Sequence, residues 1–268
     1  MTSTSAPATS HPTRAAVGWR WVALVLALSQ LAAPAVTSAL AGDFLESGAT
    51  NRALITPAGY AFGLWGVITV LSAVTAVAIV RYGLGSWWET GILIDVCIVF
   101  VGFSVWLLVA AQNWLWISVV VFGVMVGALA HVMRKLIRHR DDLTCPSWVA
   151  TLTTVTFGLY LGWSSIAWFA NVAAAFLDGG WSAEDWWWQF VVLVLAAASA
   201  VGVTLMLRGT VGYAAGVLWA MVAIAIGAAQ RGSPVLVSTA AVAAVIVAVV
   251  AAVAWQRLGR TRVSPATA

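Results

Sequence analysis

The stretch Phe157–Asn171, FGLYLGWSSIAWFAN, lies inside a long apolar run yet carries several polar-tipped side chains. At about 100° per residue, Tyr160, Trp163, Ala167 and Asn171 fall on one helical face. That face offers a phenol, an indole, a small gap and an amide, groups suited to holding a ligand. A second constellation is ionisable. Asp95 is the only acid placed well inside an apolar span, and His131 lies at a similar depth on the next span, antiparallel to it. A charge at depth is costly unless paired or hydrated. The spacing therefore predicts an Asp95–His131 pair. The alternatives are Asp95 with Arg134, or a carboxylate that snorkels to water at the inner face. A pH-dependent proton site is the functional extreme of the same reading. No HExxH, P-loop, Gly-x-Ser-x-Gly or dinucleotide fingerprint occurs in context. His11, His131 and His139 are scattered, and Cys97 and Cys145 lack metal-site spacing. The chain is expected to be neither an enzyme nor a metalloprotein, and to need no obligatory cofactor.

The elements that must position these residues are membrane spans. Of 268 residues, 62% are hydrophobic and only 8% charged, with mean hydropathy +0.98. Soluble domains carry about 25% charged residues, so the fold class is an all-α polytopic membrane protein. A span needs about 20 apolar residues. Eight runs qualify: Trp21–Ala41, Ala58–Val80, Gly91–Ala111, Leu115–Leu136, Trp148–Leu177, Trp187–Leu207, Val211–Ala229 and Pro234–Trp255. The third and fourth meet at a tight turn around Gln112-Asn113. Residues 1–18, rich in Ser, Thr, Pro and Ala, read as a disordered tail. Ala39-Leu40-Ala41 resembles a signal cleavage site, but the run before it is longer than a signal h-region, and we read it as a helix.

The basic residues orient the chain. With the N-terminus inside, Arg14, Arg20, Arg81, Arg134, Lys135, Arg138, Arg140, Arg208, Arg257, Arg260 and Arg262 lie on the inner side, and only Arg52 and Arg231 on the outer. That asymmetry supports eight spans with both termini cytoplasmic in the plasma membrane. The acids Asp43, Glu46, Asp178, Glu184 and Asp185 fall outside. The inner loop Arg134–Asp142 reads first as a topology determinant; an anionic-lipid or partner site is the sharper alternative.

Most of the 17 tryptophans sit at predicted span ends, as an interfacial aromatic belt does. Trp65, Trp106, Trp163, Trp168 and Trp219 lie within spans, where a buried indole N–H needs a partner. Trp65, Trp106, Trp168 and Asn171 come at similar depth in the outer half, which points to one pocket. The competing reading is that these indoles only pack or face lipid. Gly59-xxx-Gly63, Gly123-xxx-Gly127, Gly158-xxx-Gly162 and Gly212-xxx-Gly216 are small-xxx-small patterns. They predict close helix contacts within the chain, with a homodimer face as the alternative. Gly212–Gly216 also echoes Gly59–Gly63, each preceding a tryptophan.

Tyr160-x-x-Trp163-x-x-x-Ala167-x-x-x-Asn171 resembles the last-helix signature of the TspO/MBR family, the tryptophan-rich sensory or translocator proteins. Pro57-Ala-Gly-Tyr60-Ala-Phe62-Gly-Leu-Trp65 resembles that family's entry into helix 2, and Trp106 with the following turn its helix 3 to 4 junction. The resemblance spans residues 20–177. It implies a TspO-like five-helix bundle at 19–177, a three-helix C-terminal extension at 178–256 and a basic tail at 257–268, as in a longer bacterial branch. It departs in three places. The loop GDFLESGATNRALITP lacks the family's Trp-Tyr and Pro-Pro pairs, the Phe62 to Trp65 spacing is one residue short, and Phe103 stands where the family has asparagine. Whether the loop 42–57 lids the pocket is therefore left open.

The resemblance implies a pocket for hydrophobic ligands, with porphyrins and other tetrapyrroles, or lipids, as the class. Carried over by position, Trp65, Trp106, Trp163, Ala167 and Asn171 would line it, with Tyr160 and Tyr60 as weaker members. Ala167 beside a tryptophan would give a flat ligand a gap next to a stacking face. The first reading is a ligand-binding membrane sensor, and the second a secondary transporter of a small hydrophobic or aromatic solute. Porphyrin photo-degradation is a minor third. The expected partners are a hydrophobic small molecule, membrane lipid and, through a small-residue face, a second copy. No nucleic-acid partner is expected.

Overall fold

The computed structural model describes residues 14–41 and 52–263. Its helices are α1 (Arg14–Ala41), α2 (Leu64–Tyr82), α3 (Glu89–Ala111), α4 (Leu115–Arg138), α5 (Ser147–Asp178), α6 (Trp186–Met206), α7 (Val211–Gln230) and α8 (Pro234–Val263). Among the described residues, all eight are long and apolar enough to cross a bilayer, and the chain is an all-α polytopic membrane protein. The ends depart from expectation in three places. α1 begins at Arg14, so residues 14–18 are its first turns and not part of a disordered tail. α8 continues through Val263, into the stretch read as a basic tail. The second span enters through a 3-10 turn, Gly59–Gly63, before α2 proper.

Short connections make sequential helices antiparallel. The α3–α4 turn closes through Asn113 at φ 56, a left-handed conformation that asparagine tolerates better than most residues. α3 packs on α1 and α4, α5 on α2 and α4, α7 on α5, and α8 on α6 and α7. The antiparallel order gathers Arg20, Arg81, Arg134, Lys135, Arg138, Arg140, Arg208 and Arg257 at one end and Arg52 and Arg231 at the other.

Glycine sets the α5–α7 crossing. Added Cβ atoms on Gly158 and Gly162 would come 2.9 Å from the Tyr213 nitrogen and 2.3 Å from the Tyr213 oxygen, and one on Gly212 would come 2.5 Å from the Val155 oxygen. The two small-residue patterns thus face each other within one chain. Gly59, Gly63 and Gly127 meet nothing within 4 Å. The two Gly-Tyr segments differ in setting: Gly59–Gly63 is a 3-10 turn with Tyr60 52% exposed, whereas Gly212–Gly216 lies within α7 with Tyr213 fully buried.

At the basic end Arg20 and Glu89 form a buried ion pair, Arg20 Nη2 donating to Glu89 Oε2 at 3.0 Å. The same carboxylate accepts the Leu84 and Gly85 N–H groups, each at 3.1 Å. Asp95 is therefore not the only acid that matters inside the bundle. Glu89 reads as a flanking residue in sequence, but it opens α3 and the preceding turn wraps around it. Two of the expected belt tryptophans are also interior. Trp88 donates to Asp142 at 3.4 Å and Trp188 to the Ser182 carbonyl at 3.0 Å, and both are buried.

Candidate functional site

Trp65, Trp106, Trp163, Ala167 and Asn171 line one cavity of about 570 Å³ at the end opposite the basic cluster. α2, α3 and α5 supply the walls. The rim comes from the α1–α2 segment (Arg52, Thr56 and Pro57), the α3–α4 turn (Asn113) and the end of α5 (Asp178). From Trp163 to Asp178 the wall runs about 22 Å along α5, at 1.5 Å per residue. The size falls in the range of about 300–1,000 Å³ usual for small-molecule sites.

Trp65 is the hub of the aromatic wall. Its ring lies 4.9 Å from Phe103, 5.6 Å from Trp106, 5.6 Å from Tyr160 and 6.2 Å from Trp163, centroid to centroid. Phe103 thus fills the place of the family's asparagine with a ring packed on Trp65. Asn171 fixes the opposite side. Its Oδ1 accepts from Trp106 Nε1 at 3.1 Å and from Ser118 Oγ at 3.3 Å, while its Nδ2 donates to the Ala167 carbonyl at 2.9 Å. One amide therefore ties α3, α4 and α5 together and holds the Trp106 ring against the cavity.

Tyr160 shares the helical face but does not line the cavity. It is fully buried, and its hydroxyl donates to Gln30 Oε1 on α1 at 3.1 Å. It supports Trp65 from behind. Tyr60 lies outside, half exposed, with its ring edge-on to Trp219 at 5.6 Å. Trp168 turns to the α4–α5 seam and donates to the Val119 carbonyl at 3.0 Å, and Trp219 donates to the Ala61 carbonyl at 3.1 Å. Trp65 and Trp163 are different: both indole N–H groups are buried with no acceptor among the described residues.

The rim is held by α6 and α7. Gln189 Oε1 on α6 accepts the Leu54 N–H and, at 3.4 Å, the Ile55 N–H. Arg231, just beyond α7, donates to the Leu54 and Thr56 carbonyls at 3.1 and 2.8 Å. The Ala58 N–H donates to the Ala223 carbonyl at 2.9 Å. Burial, and then the neighbouring charge of Arg52, lowers the Arg231 pKa from its ordinary value. Of the loop 42–57, residues 42–51 lie outside the described residues; the remainder forms the rim. Neither Gln189 nor Gln30 was singled out in sequence, although a lone amide inside an apolar span is a signal that could have found both.

Asp95 and His131 come together, Nδ1 to Oδ2 at 2.7 Å, with side chains 18% and 50% exposed. The pair is remote from the cavity, since Asp95 lies eleven residues from Trp106 on α3, about 16 Å along the helix. Among the described residues no three His, Cys, Asp or Glu side chains form a metal-binding group.

The sequence matches the TSPO-like protein family over residues 18–254. The chain belongs to this family. The match takes in α6, α7 and α8, as the reading of a longer branch with three C-terminal helices expects. They fall within the length of this TSPO-like family. No curated protein and no solved structure matches the chain.

Proposed function

We propose that this TSPO-like chain binds a hydrophobic, aromatic ligand of the tetrapyrrole or lipid class in the cavity between α2, α3 and α5, as a sensory or regulatory protein without catalytic activity. The observation that carries this reading is the convergence of three indoles and the Ala167 gap on one cavity of about 570 Å³. Indole faces stack on flat π-systems, and a small residue beside them leaves room for the ligand's edge. The concentration of basic residues at the far end favours a cytoplasmic N-terminus in the plasma membrane, with the cavity in the outer half.

The test is titration of the purified protein with protoporphyrin IX, followed by tryptophan quenching. Wild type should quench saturably. Ala167→Leu, which adds bulk inside the cavity, should weaken binding at least about tenfold while the protein remains as stable as before. Saturable quenching unaffected by Ala167→Leu would place the ligand elsewhere and reject the reading. A second reading, a secondary transporter of a small aromatic solute, is favoured by the Asp95–His131 contact at 2.7 Å. Solute uptake that survives Asp95→Asn would argue against proton coupling through this pair.

A further inference from the structure

A second cleft, of about 620 Å³, opens at the basic end of the bundle, where the start of α5 meets the α6–α7 turn and the end of α8. Arg140 and Arg208 border it, with Thr151, Thr154 and Gln256 also lining it and Val155 and Trp255 among its apolar walls. Neither arginine side chain has an ion pair or hydrogen bond among the described residues. Three other cations at this end are engaged: Arg20 with Glu89, Arg81 over the Tyr82 ring at 5.2 Å, and Lys135 over the Trp87 ring at 5.8 Å; Arg134 and Arg138 are also without an ion pair among the described residues but do not border the cleft. The nearby acid Asp142 is turned to His139 at 3.2 Å and Trp88 at 3.4 Å.

Arg208 is held in an unusual backbone state. Its φ is 55, which a residue with a side chain avoids unless the surrounding turn requires it. The turn is closed by Arg208 N–H to the Leu205 carbonyl at 3.1 Å and Gly209 N–H to the Thr204 carbonyl at 2.9 Å. It is locked against α8, because a Cβ on Gly209 would come 2.5 Å from the Ala251 oxygen. The turn thus fixes the position from which Arg208 reaches the cleft. The cleft also needs both parts of the chain: Arg140 and the threonines come from the α4–α5 region, and Arg208 and Trp255 from the last three helices.

We propose that this cleft is a binding site for one anionic phospholipid. Two unpaired guanidinium groups match a phosphate, because arginine donates in a planar fork suited to its oxygens. The apolar walls match an acyl chain, which a free anion would leave unfilled. A zwitterionic headgroup would bring its own cation toward the arginines. Basic clefts at a membrane surface recruit anionic lipid in this way.

The experiment is native mass spectrometry of the full-length protein from detergent micelles containing phosphatidylglycerol or phosphatidylcholine. Wild type should retain one phosphatidylglycerol and release phosphatidylcholine. Arg140→Gln with Arg208→Gln should weaken retention by roughly tenfold to thirtyfold, the loss expected for two interfacial arginines. Thr151→Trp, which fills the cleft and keeps its charge, should also lose the lipid. Arg81→Ala with Lys135→Ala, at the same end but outside the cleft, should retain it. Circular dichroism of each variant checks folding; if the double arginine variant does not fold, Thr151→Trp decides. The proposal is overturned if the folded double variant, or in its absence Thr151→Trp, keeps phosphatidylglycerol as wild type does. Equal retention of phosphatidylcholine, or displacement of the lipid by millimolar inorganic phosphate, would overturn it as well.

Discussion

Gly216 stands where α7 crosses α5, and replacing it with alanine tests how the two parts of the chain are joined. The added Cβ would lie 2.6 Å from the Leu159 oxygen, 2.7 Å from the Trp163 nitrogen and 3.0 Å from the Gly162 carbonyl carbon. All three are backbone atoms, so no rotamer change relieves the overlap. Non-bonded carbon contacts are best at about 3.5–4.0 Å, so α7 must retreat by roughly 0.5–1 Å. Two terms oppose each other. Glycine to alanine in a helix interior gains about 1 kcal/mol of propensity. Overpacking a tight core costs about 1–3 kcal/mol, and rigid backbone on both sides puts this site at the upper end. The net expectation for Gly216→Ala is a loss of about 1–2 kcal/mol. Gly127→Ala is the control. Nothing lies within 4 Å of its added Cβ, so it should be neutral or gain up to about 1 kcal/mol. Unfolding both variants in mixed micelles, followed by far-ultraviolet circular dichroism, separates the signs. Because the Trp163 nitrogen is one of the atoms displaced, Gly216→Ala should also shift tryptophan emission. A Gly216→Ala protein as stable as wild type, or a Gly127→Ala protein that loses as much, would refute the reasoning.

Glu89→Ala strands the buried Arg20 charge and removes the acceptor for two backbone N–H groups. It should cost about 3–5 kcal/mol in the same assay. Gln189→Leu leaves the Leu54 and Ile55 N–H groups without their acceptor. At about 1–3 kcal/mol for an unsatisfied group, hydrogen exchange at the rim, residues 53–58, should speed up by about tenfold or more, with the α5 core unchanged. The Cys145 thiol is raised from its ordinary value, chiefly by burial. A raised thiol pKa means less thiolate at any given pH, so iodoacetamide should alkylate Cys145 more slowly than free cysteine at pH 8. Its rate should keep climbing at pH values where free cysteine has levelled off.

Local chemistry fixed much of this in advance. Bilayer thickness sets the length of an apolar run, so eight helices were legible and most of their ends lay within a few residues of expectation. Helical periodicity placed Trp163, Ala167 and Asn171 on one face, and family resemblance brought Trp65 and Trp106 to them. What periodicity could not decide is what each position on a face meets. Tyr160 shares the face of Trp163, yet Gln30, 130 positions away in sequence, takes its hydroxyl. Glycine spacing announced close contacts but not that Gly158 and Gly162 would meet Gly212 and Gly216. Glu89 looked interfacial until the chain brought Arg20 onto it. The role of α6 and α7 as the brace of the cavity rim rests on contacts such as Leu54 with Gln189, 135 residues apart. Hydrophobic length and period are properties of a segment and are written in it. Burial and hydrogen-bond partners belong to pairs of segments, and they exist only once the bundle has packed.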